Sequence, residues 1–218
     1  MNEPHIGIVI GTTRQERLEA APARWIDSLA AGRRDLKAEI VDLRDYPLPF
    51  WDEPVHSSVA TKTKETIRRW CDKIASLDGY IFVTAEYNQS FSATLKNALE
   101  FPHLEFSKKP AAFVGCGDAG GARAIQHLRQ VVIELEIAPL RSAVLVGLDD
   151  YFVADGEKSL SDFDHLRGAG NRLLDEMSWW SATLKTGRTN GRASAPSRLA
   201  EFRRLNHLRQ AAGDAAAL

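Results

Sequence analysis

The sequence predicts an α/β fold in which helices cover both faces of a five-stranded parallel sheet. Short apolar runs alternate with longer segments of helical periodicity from the N-terminus to about residue 184. Such alternation is typical of β-α units, which place successive strands in one parallel sheet. A length of 218 residues with 44% apolar content fits one domain, or one domain with an appendage, around a real core.

Five apolar runs are the predicted strands, because each is short and bounded by turn residues. They cover residues 5–10, 37–43, 80–83, 111–115 and 139–146. Helices are predicted between the strands wherever apolar residues recur near a 3.6-residue period. They cover residues 16–31, 61–77, 92–101, 120–137 and 160–184.

Two proline signals refine this pattern. Pro22 fits best in the first turn of a helix, so we expect the first helix to begin later than residue 16. The stretch DYPLPFWDEP at 45–54 is too rich in proline for regular structure and predicts a loop.

Charge divides the chain into two parts. The net charge of −1 gives no global electrostatic case for binding nucleic acid. Residues 185–218 nevertheless carry seven Lys or Arg and only two acidic residues. We therefore expect a folded domain over 1–185 and a basic linker and C-terminal tail over 186–218, with a candidate short helix in the tail. Three roles remain open for the tail: packing on a partner subunit, binding an acidic surface, or a solvated end.

Cysteine content and hydropathy indicate a cytoplasmic protein. The two cysteines, Cys71 and Cys116, fit a reducing compartment rather than a disulfide scaffold. The N-terminus shows no signal-peptide pattern, and no apolar run approaches the roughly 20 residues that span a bilayer. The six histidines show no ligand spacing, so we predict no metal site.

The loop after the first strand, GTTRQER at 11–17, has the composition of a phosphate site. A phosphate monoester requires backbone N–H groups, hydroxyls and a cation beside a helix N-terminus. Thr12 and Thr13 supply hydroxyls, while Arg14 and Arg17 supply charge. The pattern matches neither the P-loop nor the dinucleotide fingerprint. An ordinary β-α turn with surface arginines is the alternative interpretation.

The turn after the third strand, TAEYNQS at 84–90, combines polar groups with the aromatic ring of Tyr87. A polar turn at the carboxyl end of a buried strand is where open α/β sheets place ligands. Edge hydrogen bonds and a stacking face together suit a flat heterocycle. A partly buried structural tyrosine is the alternative interpretation of Tyr87.

A third loop contains the string GCGDAG at 115–120. It follows the fourth strand rather than the first of a β-α-β pair, and the next acidic residues fall late in a helix. We therefore do not expect a Rossmann NAD site here. We expect instead that the glycines let the backbone approach a flat ring.

These three loops follow strands one, three and four. In a flavodoxin-like three-layer sandwich with strand order 2-1-3-4-5, those strands are neighbours around the switch point. The loops then meet in one crevice, with a phosphate on the first loop and a ring system between the other two. The sequence therefore predicts a bound flavin nucleotide and redox chemistry.

Three segments resemble the NADPH-dependent FMN reductase family. GTTRQER resembles its GSxR loop, AEYNQSFSATLKNALE resembles its PEYNxSxxGxLKNAxD block, and GCGDAGGARAIQHLRQV resembles its glycine-rich turn and helix. The resemblance covers roughly residues 6–147. It implies a flavodoxin-like fold, non-covalent FMN, and reduction of a quinone, flavin, azo or similar acceptor by NADPH or NADH. It also implies a homodimer or homotetramer.

The resemblance assigns site residues position by position. By this resemblance, residues of the first loop contact the phosphate, and residues of the other two loops border the isoalloxazine ring. The first set is Gly11, Thr12, Thr13, Arg14 and Arg17; the second is Ala85, Glu86, Tyr87, Asn88, Gly117 and Asp118. The chain departs from the family pattern at Ala85, where proline is usual, and Asp118 places a carboxylate beside the proposed ring.

The expected mechanism is a ping-pong cycle in which NAD(P)H reduces FMN and the acceptor then occupies the same space. The cofactor supplies the chemistry, while backbone N–H groups of residues 86–88 tune it and Tyr87 shapes the stacking surface. The alternative is a flavodoxin-like FMN-binding electron-transfer or interaction protein without NAD(P)H turnover.

Overall fold

The computed structural model describes residues 3–51, 61–102, 104–154 and 159–190. Five strands form one sheet in the order β2-β1-β3-β4-β5, and every neighbouring pair is parallel. The predicted fold class and strand order are therefore confirmed. The strands are β1 His5–Ile10, β2 Lys37–Asp42, β3 Gly79–Ala85, β4 Pro110–Gly117 and β5 Ala138–Gly147.

Six α-helices lie around this sheet in the described part of the chain. They are α1 Ala20–Ala31, α2 Thr61–Ser76, α3 Ala93–Glu100, α4 Ala122–Glu134, α5 Leu148–Ala154 and α6 Asp164–Thr189. The late start of α1 is confirmed, and Pro22 lies buried in its first turn, where proline costs no helical hydrogen bond. Helix α5 was not predicted, because its seven residues are too few to show a helical period.

The core has two layers, one on each face of the sheet. Helices α1 and α6 cover one face, and α2, α3 and α4 cover the other. Trp70 of α2 is fully buried, and its indole N–H donates to the Ala98 carbonyl of α3 at 2.8 Å. Each large apolar side chain buried in these layers contributes about 1.5–3 kcal/mol, which holds the strand ends in place.

Helix α6 continues through Thr189, four residues into the stretch predicted as a linker. Two basic residues of its last turns, Lys185 and Arg188, each bond to the carboxylate of Asp78 at 2.7 Å. Residues 191–218 lie outside the described residues, so the division into a domain and a tail stays a prediction. None of the helices in the described ranges is both long enough and apolar enough to cross a membrane.

Candidate functional site

The loops that follow β1, β3 and β4 meet at the carboxyl edge of the sheet, as the strand order predicted. The Gly11 N–H donates to the Val83 carbonyl at 2.9 Å, and the Glu86 N–H donates to the Cys116 carbonyl at 2.9 Å. The Ser92 hydroxyl also donates to the Gly11 carbonyl while capping helix α3. These bonds fix the three loops relative to one another before any ligand binds.

The first loop is held from below by Arg17. Its guanidinium donates to the Thr12 carbonyl at 2.9 Å and forms a bidentate pair with Asp42 at the end of β2. Burial alone would raise the pKa of Asp42, but the bonds from Arg17 lower it below its usual value. Arg17 therefore supports the loop here, and its predicted contact with a phosphate stays a prediction.

The outer side of the loop presents Thr13 and Arg14, both of which are exposed. The Arg14 guanidinium carbon lies 5.4 Å from the ring centroid of Tyr87. Among the described residues, no carboxylate pairs with Arg14. Thr12 is buried, and its hydroxyl accepts from the Arg14 N–H at 3.4 Å. Arg14 is thus the cation that this loop offers to a ligand.

A cavity of about 370 Å³ opens beside Thr13. Its walls come from the proline-rich loop and from helix α3. The Asn97 side chain joins these walls, because its amide donates to the Pro49 carbonyl at 2.7 Å and accepts from the Trp51 N–H at 2.8 Å. Asn97 therefore fixes the proline-rich loop to helix α3.

The second loop forms a tight turn. Tyr87 and Ser90 exchange both backbone hydrogen bonds, at 2.7 and 2.9 Å. Asn88 and Gln89 between them have φ values of 48° and 67°, the left-handed pair that a type I′ turn requires. This turn holds the half-buried Tyr87 ring beside Arg14, on the crevice side of the first loop.

Glu86 turns away from the crevice. One carboxylate oxygen accepts from the Arg123 N–H at 3.2 Å, at the start of α4, and the other accepts from the Arg123 guanidinium. The backbone N–H groups of Glu86 and Tyr87 are also bonded within the protein. Of the three N–H groups predicted to tune a ring, that of Asn88 is the one without a bond in the described part of the chain.

The glycine turn after β4 packs against its own strand. Gly121, which opens α4, has a φ of 72°, and a Cβ there would lie 2.6 Å from the Cys116 nitrogen. A Cβ on Gly115 would lie 2.4 Å from the Gly120 carbonyl oxygen. Internal packing therefore requires these glycines, whatever ring approaches them. Gly117 is buried, and Asp118 is exposed at the tip of the turn.

Glu19 is a residue of this site that the sequence reasoning missed. It is 0% exposed; one carboxyl oxygen accepts from the Ala85 N–H at 3.1 Å, and the other has no hydrogen-bond partner among the described residues. Burial raises its pKa, against the opposing effects of hydrogen bonds, Arg17 and Arg14. Helical spacing was the available signal, because Glu19 precedes Ala23 and Ile26 on the stripe of α1 that faces the core.

The residues present fit a flavin mononucleotide. An exposed hydroxyl at Thr13 and an uncompensated guanidinium at Arg14 match a phosphate, and the adjacent Tyr87 ring matches a planar group. No group of three His, Cys, Asp or Glu side chains in the described residues is arranged to hold a metal ion.

A flavodoxin-like sheet binds ligands at the carboxyl edge of its strands, and a cationic loop beside an aromatic turn at that edge is typical of flavin nucleotide proteins. The model of the NADPH-dependent FMN reductase family matches residues 4–150. The chain belongs to this family and is therefore an oxidoreductase that uses FMN and NAD(P)H.

Curated relatives agree with this assignment, and a solved structure shares the fold. An NAD(P)H-dependent FMN reductase of Schizosaccharomyces pombe is 33% identical over 150 residues, covering 67% of this chain and 75% of the relative. A quinone reductase of Pseudomonas putida is 32% identical over 184 residues, covering 80% and 93%. The structure of FerB, a flavoenzyme NAD(P)H:acceptor oxidoreductase of Paracoccus denitrificans, has a TM-score of 0.66 at 22% identity, covering 83% and 98%. The last likeness supports the fold.

Proposed function

We propose that this protein transfers a hydride from NAD(P)H, through FMN, to a quinone, flavin, azo or similar small acceptor in a ping-pong cycle. For a quinone, NAD(P)H and one proton give NAD(P)⁺ and the hydroquinone. The observation that carries the proposal is the meeting of Arg14 and Tyr87 at the edge of the crevice, in a chain of this family. The quinone reductase relative favours a quinone as the first acceptor to test.

The first loop holds the phosphate in this proposal. Thr13 and Arg14 donate to its oxygens, while Thr12 and Arg17 keep the loop in shape from beneath. Arg44 adds a second support, because its guanidinium donates to the Arg14 carbonyl and, at 2.8 Å, to the Gln15 carbonyl. The loop is thus preorganised, which reduces the entropy lost when the cofactor binds.

The second and third loops border the ring. A bound FMN would supply the hydride chemistry that links the nicotinamide to the acceptor. Tyr87 gives that ring a stacking neighbour, the Asn88 N–H gives it a donor, and Ala85, Gly117 and Asp118 complete the border. Glu86 contributes by fixing this border to α4 through Arg123.

Assembly into a homodimer or homotetramer is part of the proposal. Trp179 and Phe152 are 62% and 63% exposed, which is unusual for such large apolar side chains. Their burial against a second copy would remove apolar surface from water.

The deciding experiment is an anaerobic absorbance titration. Protein is loaded with FMN, desalted and mixed with NADPH and separately with NADH. We expect retained flavin bands that bleach on adding the nucleotide and return on adding a benzoquinone. Retained bands that do not bleach would contradict hydride transfer and favour an electron-transfer protein.

Replacing Arg14 by glutamine tests the phosphate site. We expect FMN affinity to fall about 10- to 100-fold, because a hydrogen bond to a charged group contributes about 1.5–3 kcal/mol. The measurement is quenching of FMN fluorescence, repeated with riboflavin, which lacks the phosphate and should respond little. Arg24→Gln, an exposed position on α1, is the control. Equal losses for FMN and riboflavin would refute the assignment of Arg14 to the phosphate.

A further inference from the structure

A second cavity, of about 330 Å³, lies between helix α4, the edge strand β5 and helix α6. We call it the arginine cavity, because Arg129, Arg141 and Arg172 line it together with Gln126 and Ser142. None of the three loops of the flavin site contributes to it. Each arginine comes from a different element, so the sheet topology brings the charges together.

Arg129 is held in place by two contacts in the wall of the cavity. Its guanidinium carbon lies 4.9 Å from the ring centroid of Phe113, and one terminal nitrogen donates to the Arg141 carbonyl at 2.9 Å. Its Nε is buried and has no partner in the described part of the chain. A buried donor without an acceptor is unfavourable, and more so when the group is charged. The side chain is therefore positioned but incompletely satisfied.

The positive charge around the cavity is not balanced by carboxylates. Six other arginines form ion pairs within the described residues, whereas Arg129, Arg141 and Arg172 form none there. Glu176 is the acidic group that acts on Arg129, and one of its oxygens accepts the Ser142 N–H at 3.0 Å. Burial lowers the pKa of Arg129, and Glu176 acts in the opposite direction.

We infer that the arginine cavity binds the phosphoryl group of a small molecule. Each guanidinium group presents a planar fork of donors that matches two phosphate oxygens. Three guanidinium groups around one space suit a phosphoryl ligand better than a carboxylate ligand, which has only two oxygens and one negative charge. The volume admits more than a phosphate ion, so the group belongs to a larger molecule. Two sources share this chemistry: the 2′-phosphate of NADPH and a separate phosphorylated metabolite.

Inorganic phosphate is the probe, titrated into FMN-loaded protein so that the first loop is already filled. Binding is followed by amide shifts of residues 141–145 in NMR spectra. We expect saturable shifts that weaken at least about 10-fold in the double variant Arg141→Gln/Arg172→Gln. The matched control, Arg24→Gln/Arg34→Gln, removes two exposed arginines elsewhere and should leave the affinity within about 2-fold. Both variants remove exposed side chains, and circular dichroism checks their folding.

Absence of saturable shifts, or equal weakening in the control, overturns the inference. The source is then decided by steady-state kinetics on the same double variant. A rise in KM for NADPH with KM for NADH unchanged identifies the 2′-phosphate. Loss of phosphate binding with both KM values unchanged identifies a separate phosphorylated molecule. The phosphate titration does not depend on turnover, so its result stands apart from the proposed oxidoreductase activity.

Discussion

The variant Gly121→Ala is expected to lose about 2–5 kcal/mol of unfolding free energy. Gly121 opens helix α4 with a φ of 72°, a conformation that costs residues with a Cβ about 1–2 kcal/mol. The added Cβ would lie 2.6 Å from the Cys116 nitrogen, so β4 and the turn must also move apart. Urea denaturation followed by circular dichroism measures the loss as a lower midpoint at unchanged slope.

Gly187→Ala is the matched control for this variant. Gly187 lies in helix α6, and a Cβ there would meet no atom within 4 Å. Alanine favours a helix over glycine by about 0.8–1 kcal/mol, so the control should be neutral or stabilising. Similar midpoints for the two variants would show that the glycine turn is not tightly packed against β4.

The Gly121 substitution should also weaken FMN retention, because the turn and the second loop share bonds. The Glu86 N–H donates to the Cys116 carbonyl, and the Glu86 carboxylate holds the start of α4. Movement of Cys116 therefore reaches the border of the proposed ring. The control variant leaves these bonds intact and should retain FMN as the unmodified chain does.

The sheet could be predicted from the sequence because apolar runs and helical periods report burial directly. The ends of elements were harder, as β3 shows. Its prediction stopped at Val83, whereas the strand continues to Ala85. Thr84 is polar yet fully buried, and its hydroxyl donates to the Ala85 carbonyl at 3.1 Å. A polar residue whose hydrogen bond is made within its own strand cannot be distinguished from a turn residue in the sequence, so the predicted strand ended too early.

The site could be predicted as a set of loops but not as a set of partners. Arg14 and Arg17 are equivalent in the sequence, and they differ in the structure because Asp42 ends the strand beside β1. Glu86 matches the motif, and its carboxylate pairs with Arg123, which lies 37 residues away in the sequence. Such side-chain pairings depend on which strands are neighbours in the sheet. The local sequence pattern around each residue does not contain that information.

Glu19→Gln is expected to make the protein more stable than the unmodified chain at neutral and alkaline pH. The Glu19 carboxyl is fully buried, and burial raises its pKa above the ordinary value of 4.5. Between the unfolded and folded pKa values the folded state binds more protons than the unfolded state. Stability therefore falls as pH rises through this window, by at most about 1.4 kcal/mol per pH unit. Glutamine cannot ionise and does not lose this stability.

The charged groups around Glu19 modify this effect without reversing its sign. Arg17 and Arg14 favour the ionised form, as does the Ala85 N–H, but burial is the largest influence on its pKa. Glu19 also acts on the thiol of Cys116, whose own pKa is raised by burial and by Glu19. The folded pKa of Glu19 is raised as a net result, so the advantage of glutamine should be least below pH 4.5 and grow above it.

Denaturation of the two proteins from about pH 4 to pH 8 tests this linkage. The control Glu16→Gln changes an exposed carboxyl in the same loop and should follow the unmodified chain. Glu19→Ala removes the acceptor of the Ala85 N–H and should lose about 1–3 kcal/mol even at acidic pH. Parallel stability curves for the unmodified chain and Glu19→Gln would mean that Glu19 does not titrate in this window. A rising advantage for glutamine would instead identify Glu19 as a buried acid whose ionisation destabilises the fold, beneath Ala85 at the end of β3.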